Sequence, residues 1–193
     1  MVRHTPKIVA LIAAILTMAA VGCGNLTGVP AALPTVTDSG VVYAINGAPP
    51  GAPSTLNIYT GNLSAADATF GFDLAFDINA AGGAVILPQR VVASGLAATH
   101  SVGLQAVSGS FDAVTRAPKS GYRADSALVA PVNQVVVVQS QNAGACGYSL
   151  SGTTLYAKLV VTAVDALKRQ LHVRYTTDPN CGFLSFAPGL PKD

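Results

Sequence analysis

From Phe70 to Ile78 the chain alternates without a break. Phe70, Phe72, Leu74, Phe76 and Ile78 fall on one side of an extended backbone, and Gly71, Asp73, Ala75 and Asp77 on the other. A strand sends successive side chains to opposite faces, whereas a helix would scatter these five apolar residues around its circumference. The segment is predicted to be a half-buried β-strand, and an apolar sheet face needs a second layer to cover it.

Similar strand signals recur along the chain. Val41 to Ile45, Thr55 to Thr60, Ala84 to Val92, Ser101 to Val107, Ala127 to Ala130, Val132 to Gln141, Leu155 to Val164 and Gln170 to Thr176 read as strands separated by turn-forming residues. Pro88 suggests an edge position or a bulge. Four consecutive valines, Val135 to Val138, are expected in a central strand covered on both faces. Leu155 to Val164 and Gln170 to Thr176 suit a hairpin, with Phe183 and Phe186 covering an end of the core. The stretch Ser110 to Ser126 is irregular, with room for a helical turn near Phe111 to Arg116. The chain contains no Glu, so all nine acidic residues are Asp, a composition that favours turns and strands over helix surfaces. We therefore expect an all-β fold, an antiparallel β-sandwich of about eight to ten strands, immunoglobulin-like or related. The turn Asn46-Gly47-Ala48-Pro49-Pro50-Gly51-Ala52 resembles that of immunoglobulin-like and carboxypeptidase-regulatory-like sandwich domains.

The first residues read differently. A basic segment with Arg3, His4 and Lys7 precedes an apolar run from Ile8 to Val21, which at about 14 residues is short of a spanning helix. Residues 1–22 have the layout of a cleaved signal peptide with a signal helix. Ala20-Val21-Gly22-Cys23 resembles the lipobox of bacterial lipoproteins, with Ala20 where that family usually carries Leu. That resemblance implies lipid attachment at Cys23, export, and anchoring to the bacterial cell envelope. Gly24 resembles the sorting pattern for the outer membrane, if the cell is Gram-negative. The membrane is then a partner through the lipid on Cys23, since each buried methylene contributes about 0.8 kcal/mol. Residues 23–40, rich in Gly, Pro, Thr and Ala, are expected to be a flexible tether, and 41–193 the sandwich domain, or two small β subdomains with a boundary near 95–110. Val102-Gly103-Leu104-Gln105, Gly121-Tyr122-x-x-Asp125-Ser126 and Asp178-Pro179-Asn180-Cys181-Gly182 are similar to stretches of β-rich bacterial envelope lipoproteins, a likeness that brings no activity with it.

Cys146 and Cys181 remain as an even pair in an exported chain, and a disulfide is expected. Once Arg3 and Lys7 are removed with the leader, nine basic residues face nine Asp, so no electrostatic footprint for nucleic acid exists. No motif calls for a cofactor, and no cysteine–histidine set has the spacing of a zinc site. Asp77-x-Asn79-x-Ala81-Gly82 begins like a calcium loop but lacks its third ligand and its distal Glu, so a hairpin turn is expected. A weaker cation site on Asp73 and Asp77 would support an adhesion or sugar-binding module.

Gly-x-Ser-x-Gly is absent, and no catalytic residue is assigned. His100, on a loop, and His172, on an exposed strand face, are the two histidines outside the leader. Either could serve an exported hydrolase if the fold held it in a pocket against an Asp and a Ser, whereas separate exposed histidines would count against that reading. Lys158, His172 and Arg174 are expected on one face of the last hairpin, clustered or simply solvated. The function expected is a lipid-anchored envelope protein of a non-catalytic binding or structural kind, with a protein or glycan partner left open.

Overall fold

A computed structural model describes residues 30–67, 69, 71–93, 100–147 and 152–191. The predicted signal peptide, Cys23 and Phe70 lie outside them. Among the described residues eleven strands form: β1 (Val36–Tyr43), β2 (Thr55–Leu56), β3 (Leu63–Ser64), β4 (Leu74–Ile78), β5 (Ala84–Pro88), β6 (Ser101–Val107), β7 (Arg123–Ala124), β8 (Leu128–Val129), β9 (Val135–Gln141), β10 (Thr154–Asp165) and β11 (Gln170–Asp178). Two single-turn helices, α1 (Gln89–Val92) and α2 (Ala143–Cys146), accompany them.

Local chemistry sets many of these boundaries. β2 stops at Leu56 because the Asn57 carboxamide oxygen accepts from the amides of Tyr59 and Thr60, which bends the chain into an Asx turn. β5 ends at Pro88, opposite Leu74, and its other neighbour β8 reaches only Val85 and Ile86, so the missing Pro88 amide interrupts no ladder. The segment expected to continue as strand to Val92 becomes α1. β1 begins at Val36, ahead of the expected Val41 and inside the segment expected to be tether. Thr37, Asp38 and Ser39 are polar because that end of the strand is exposed. The β4–β5 turn closes through Asn79, whose side-chain oxygen accepts from the amides of Ala81 and Gly83, as expected of a hairpin turn.

The protein is an all-β sandwich. One antiparallel sheet has the order β1-β11-β10-β9-β6-β7 and the other β3-β2-β4-β5-β8, and neither is closed. A single buried cluster joins their facing sides: Leu56, Leu74, Phe76 and Ile86 from the second sheet meet Val136, Val138, Leu159 and Val173 from the first. β9 is covered on both faces. Val136 and Val138 face this core, while Val137 packs with Tyr156, Leu184 and Phe186, and Val135 with Phe111 and Val160. The outer cover consists of the irregular segment after β6 and the chain after β11. A disulfide joins Cys146 at the end of α2 to Cys181 beyond β11, with Cα atoms 5.8 Å apart.

Candidate functional site

Two groups of polar side chains stand out, one between the sheets and one on the outer face of the six-stranded sheet. The first centres on Asp73. The alternation places it with Asp77 on the solvent side of a strand, but β4 starts only at Leu74, and Asp73 occupies a bend that turns it into the interior, fully buried. Its Oδ2 accepts from the Ile58 amide at 2.7 Å; its Oδ1 accepts from Ser140 Oγ at 2.6 Å and from His100 Nε2 at 2.9 Å. Ser140 lies on the core face of β9, so the contact ties one sheet to the other. His100 is on a loop immediately before β6, as expected, but is buried, at 7% exposure.

An Asp, a His and a Ser thus come together, yet in an order that does not serve nucleophilic catalysis. A triad needs the histidine between the serine and the carboxylate, so that a base can take the hydroxyl proton. Here the carboxylate is in the middle: both Ser140 and His100 donate to the same oxygen of Asp73. The arrangement satisfies a buried charge and joins the two layers.

Asp77 takes a separate set of partners. It accepts from Arg169 Nη2 at 2.8 Å and from Asn46 Nδ2, and Arg169 also donates to the carbonyls of Asn46 and Ile78. Asp73 and Asp77 therefore do not converge on one centre. Among the described residues, no three His, Cys, Asp or Glu side chains stand close enough to hold a metal ion. His172 is exposed on β11, the strand face expected for it.

The second group lies on the outward face of the β10–β11 hairpin. Antiparallel register sets Lys158 opposite Thr176 and Val160 opposite Arg174, which puts both cations on one face. That face is dry only at its Lys158 end, since Arg174 stays partly exposed and His172 is exposed. Phe111 and Phe186 roof that end, and Lys158 is only 4% exposed. Its ammonium donates to the carbonyls of Phe111 at 2.6 Å and Val114 at 2.8 Å, with the Phe111 and Phe186 ring centroids 4.3 and 5.8 Å away. The Arg174 guanidinium also lies 4.3 Å from the Phe111 ring and grips both oxygens of Asp112, at 2.8 and 3.1 Å.

Beside these groups opens a cleft of about 450 Å³, lined by Lys158, Arg174, Asp112, both phenylalanines and threonine hydroxyls that include Thr37 and Thr176. Those two hydroxyls are 2.8 Å apart. Burial pulls the Lys158 ammonium below the usual lysine range, opposed by Asp112 and reinforced by Arg174. The hydrogen bond from Arg174 holds the Asp112 carboxyl below the usual carboxylate range.

The hairpin pattern is enough to place Lys158 and Arg174 together, but Phe111, Asp112, Phe186 and Ser140 carry no local signal of their roles. They reach their partners from 44 to 67 residues away or from the far end of the chain, and only the closed sandwich sets them there. Compared with known proteins, the chain matches no family model, no curated protein and no solved structure.

Proposed function

We propose that this protein is a non-catalytic binding module anchored by lipid on Cys23 to a bacterial cell envelope, presenting the cleft between Lys158 and Arg174 to its ligand. The observation that carries the reading is a concave, part-charged cleft on the outer sheet face, combined with an Asp–His–Ser group whose order suits architecture rather than acyl transfer.

The anchoring half rests on the leader and on Ala20-Val21-Gly22-Cys23. Asn180 Oδ1 accepts from the amides of Ala32 and Leu33, and Thr35 pairs with Gly189. The span from Cys23 to Ala31 can therefore reach no further than about 29 Å when fully extended. A domain so tethered works close to the bilayer surface. With Gly24 after the cysteine, a Gram-negative cell would sort it to the outer membrane.

Expression in a bacterial host, with intact-mass measurement and membrane fractionation of wild type beside Cys23→Ala, tests the anchor. The expected result is acyl mass and sedimentation with membranes for wild type alone. An unmodified, soluble wild type would overturn it. An exported hydrolase is the second reading, for which His100, Asp73 and Ser140 supply the residue types but not the productive order; ester hydrolysis by the wild type that is abolished in Ser140→Ala would replace the first reading with this one.

A further inference from the structure

Lys158 is a cation almost wholly out of water that makes no hydrogen bond or ion pair with a carboxylate among the described residues. Its two hydrogen-bond partners are neutral carbonyls, and the rings above it offer π faces but no negative charge. Buried charges are ordinarily paired, because removing an ion from water costs several kcal/mol even after relaxation. The nearby acid, Asp112, is committed to Arg174. Two cations therefore share one carboxylate at this end of the cleft, a local surplus of positive charge beside threonine hydroxyls and two phenylalanine rings.

Asp112 has a further property. Its side chain is 76% exposed, on the irregular segment at the cleft mouth, and it presents a planar carboxylate to the fork of Arg174 through two hydrogen bonds. Arg174 is thus already arranged as a carboxylate receptor, filled by a residue whose own attachment is an exposed ion pair worth little.

We propose that the cleft binds a small carboxylate ligand with a short apolar body, that this carboxylate displaces Asp112 from Arg174, and that Lys158 supplies the second positive charge. The apolar body would lie against Phe111 and Phe186, and the threonine hydroxyls would take remaining acceptors. The inference rests on the binding-module reading and deepens it, but does not depend on the lipid anchor. An unanchored protein in the fractionation experiment would leave it standing, and an empty cleft would leave the anchor standing.

The test uses the full chain purified in mild detergent and titrated with hexanoate, with hexanol and inorganic phosphate as comparators, followed by nuclear magnetic resonance at Thr176 and Phe186. Hexanoate is expected to shift these resonances saturably, and hexanol is not. Asp112→Asn removes the internal competitor at an exposed position, so the variant should fold and bind hexanoate about two- to fivefold more tightly, the weight of one exposed ion pair. Arg174→Gln should abolish the response; should that variant fail to fold, the Asp112→Asn comparison decides. No saturable response to hexanoate, an equal response to hexanol, or a hexanoate affinity unchanged or weakened in Asp112→Asn would each overturn the proposal. A response to phosphate without one to hexanoate would overturn the assignment to carboxylates.

Discussion

At the scale of single residues, Asp73 puts a carboxylate in the core with no exposure to solvent. A fully buried carboxylate is tolerable because three donors converge on it, from Ile58, His100 and Ser140. An amide in its place keeps the shape but offers one accepting oxygen and adds two N–H donors that face other donors. Asp73→Asn is therefore expected to destabilise the fold by about 1–3 kcal/mol, read as a lower urea midpoint with an unchanged slope; a midpoint equal to that of wild type would show that the network contributes nothing. Tyr122 makes the alkaline counterpart. Burial, with Tyr156 adding to it, pushes its phenol above the usual tyrosine range, and its hydroxyl donates to the Pro118 carbonyl at 2.8 Å. Because the folded state favours the protonated form, this contribution is fully present below the unfolded value of about 10 and is lost as pH rises beyond it. Phenolate absorbance should show Tyr122 ionising late together with Tyr175, which burial also shifts upward, and Tyr122→Phe should shrink that late step; simultaneous titration of all six tyrosines near the ordinary value would contradict this.

Elements depend on close approaches that residue types alone do not reveal. Gly103 in β6 is one: a Cβ there would stand 2.8 Å from the Cβ of Tyr122, an atom that no rotamer change can move away. Gly103→Ala should force the Tyr122 segment off the sheet and cost about 1–3 kcal/mol, visible as a lower melting temperature. An unchanged melting temperature would mean that this segment yields freely. β9 was legible in its four valines, since only a strand covered on both sides tolerates apolar residues on both. β3 and β7 were not, because two-residue strands have too few positions to show any period. β10 contains a bulge between Val161 and Ala163, beyond which the pairing with β11 shifts by one residue. Nothing in the run of small and β-branched residues there announces it.

For the whole molecule, the disulfide and the contacts of residues 32–35 with Asn180 and Gly189 tie the cover to the core. Asn180 donates to the Leu33 carbonyl and accepts from Ala32 and Leu33, next to the bridge at Cys181. Opening a closed loop of about 35 residues should cost roughly 3–4 kcal/mol in the chain-entropy account. Reduction, or paired Cys146→Ala and Cys181→Ala changes, should lower the denaturation midpoint accordingly. Amide exchange should also rise over residues 32–35; fast exchange already present in the oxidised protein would show that this segment is not held.

Alternation, turn chemistry and cysteine parity are written within a few neighbouring residues or in a simple count, so the class of fold, the hairpins, the doubly covered strand and the cysteine pair were legible before any tertiary contact formed. The sequence by itself also set Lys158 and Arg174 on one strand face, since a period of two fixes which side chains share a side. Whether a given side is dry or wet is decided by whatever segment arrives to cover it. The irregular stretch around Phe111 and the chain after β11 made the cation face a roofed cleft, and a bend at Asp73 turned an expected surface carboxylate into the buried link between two sheets. Those outcomes depend on contacts between residues far apart in the chain, and the physical terms that settle them, desolvation and the pairing of buried charge, exist only once the layers have closed.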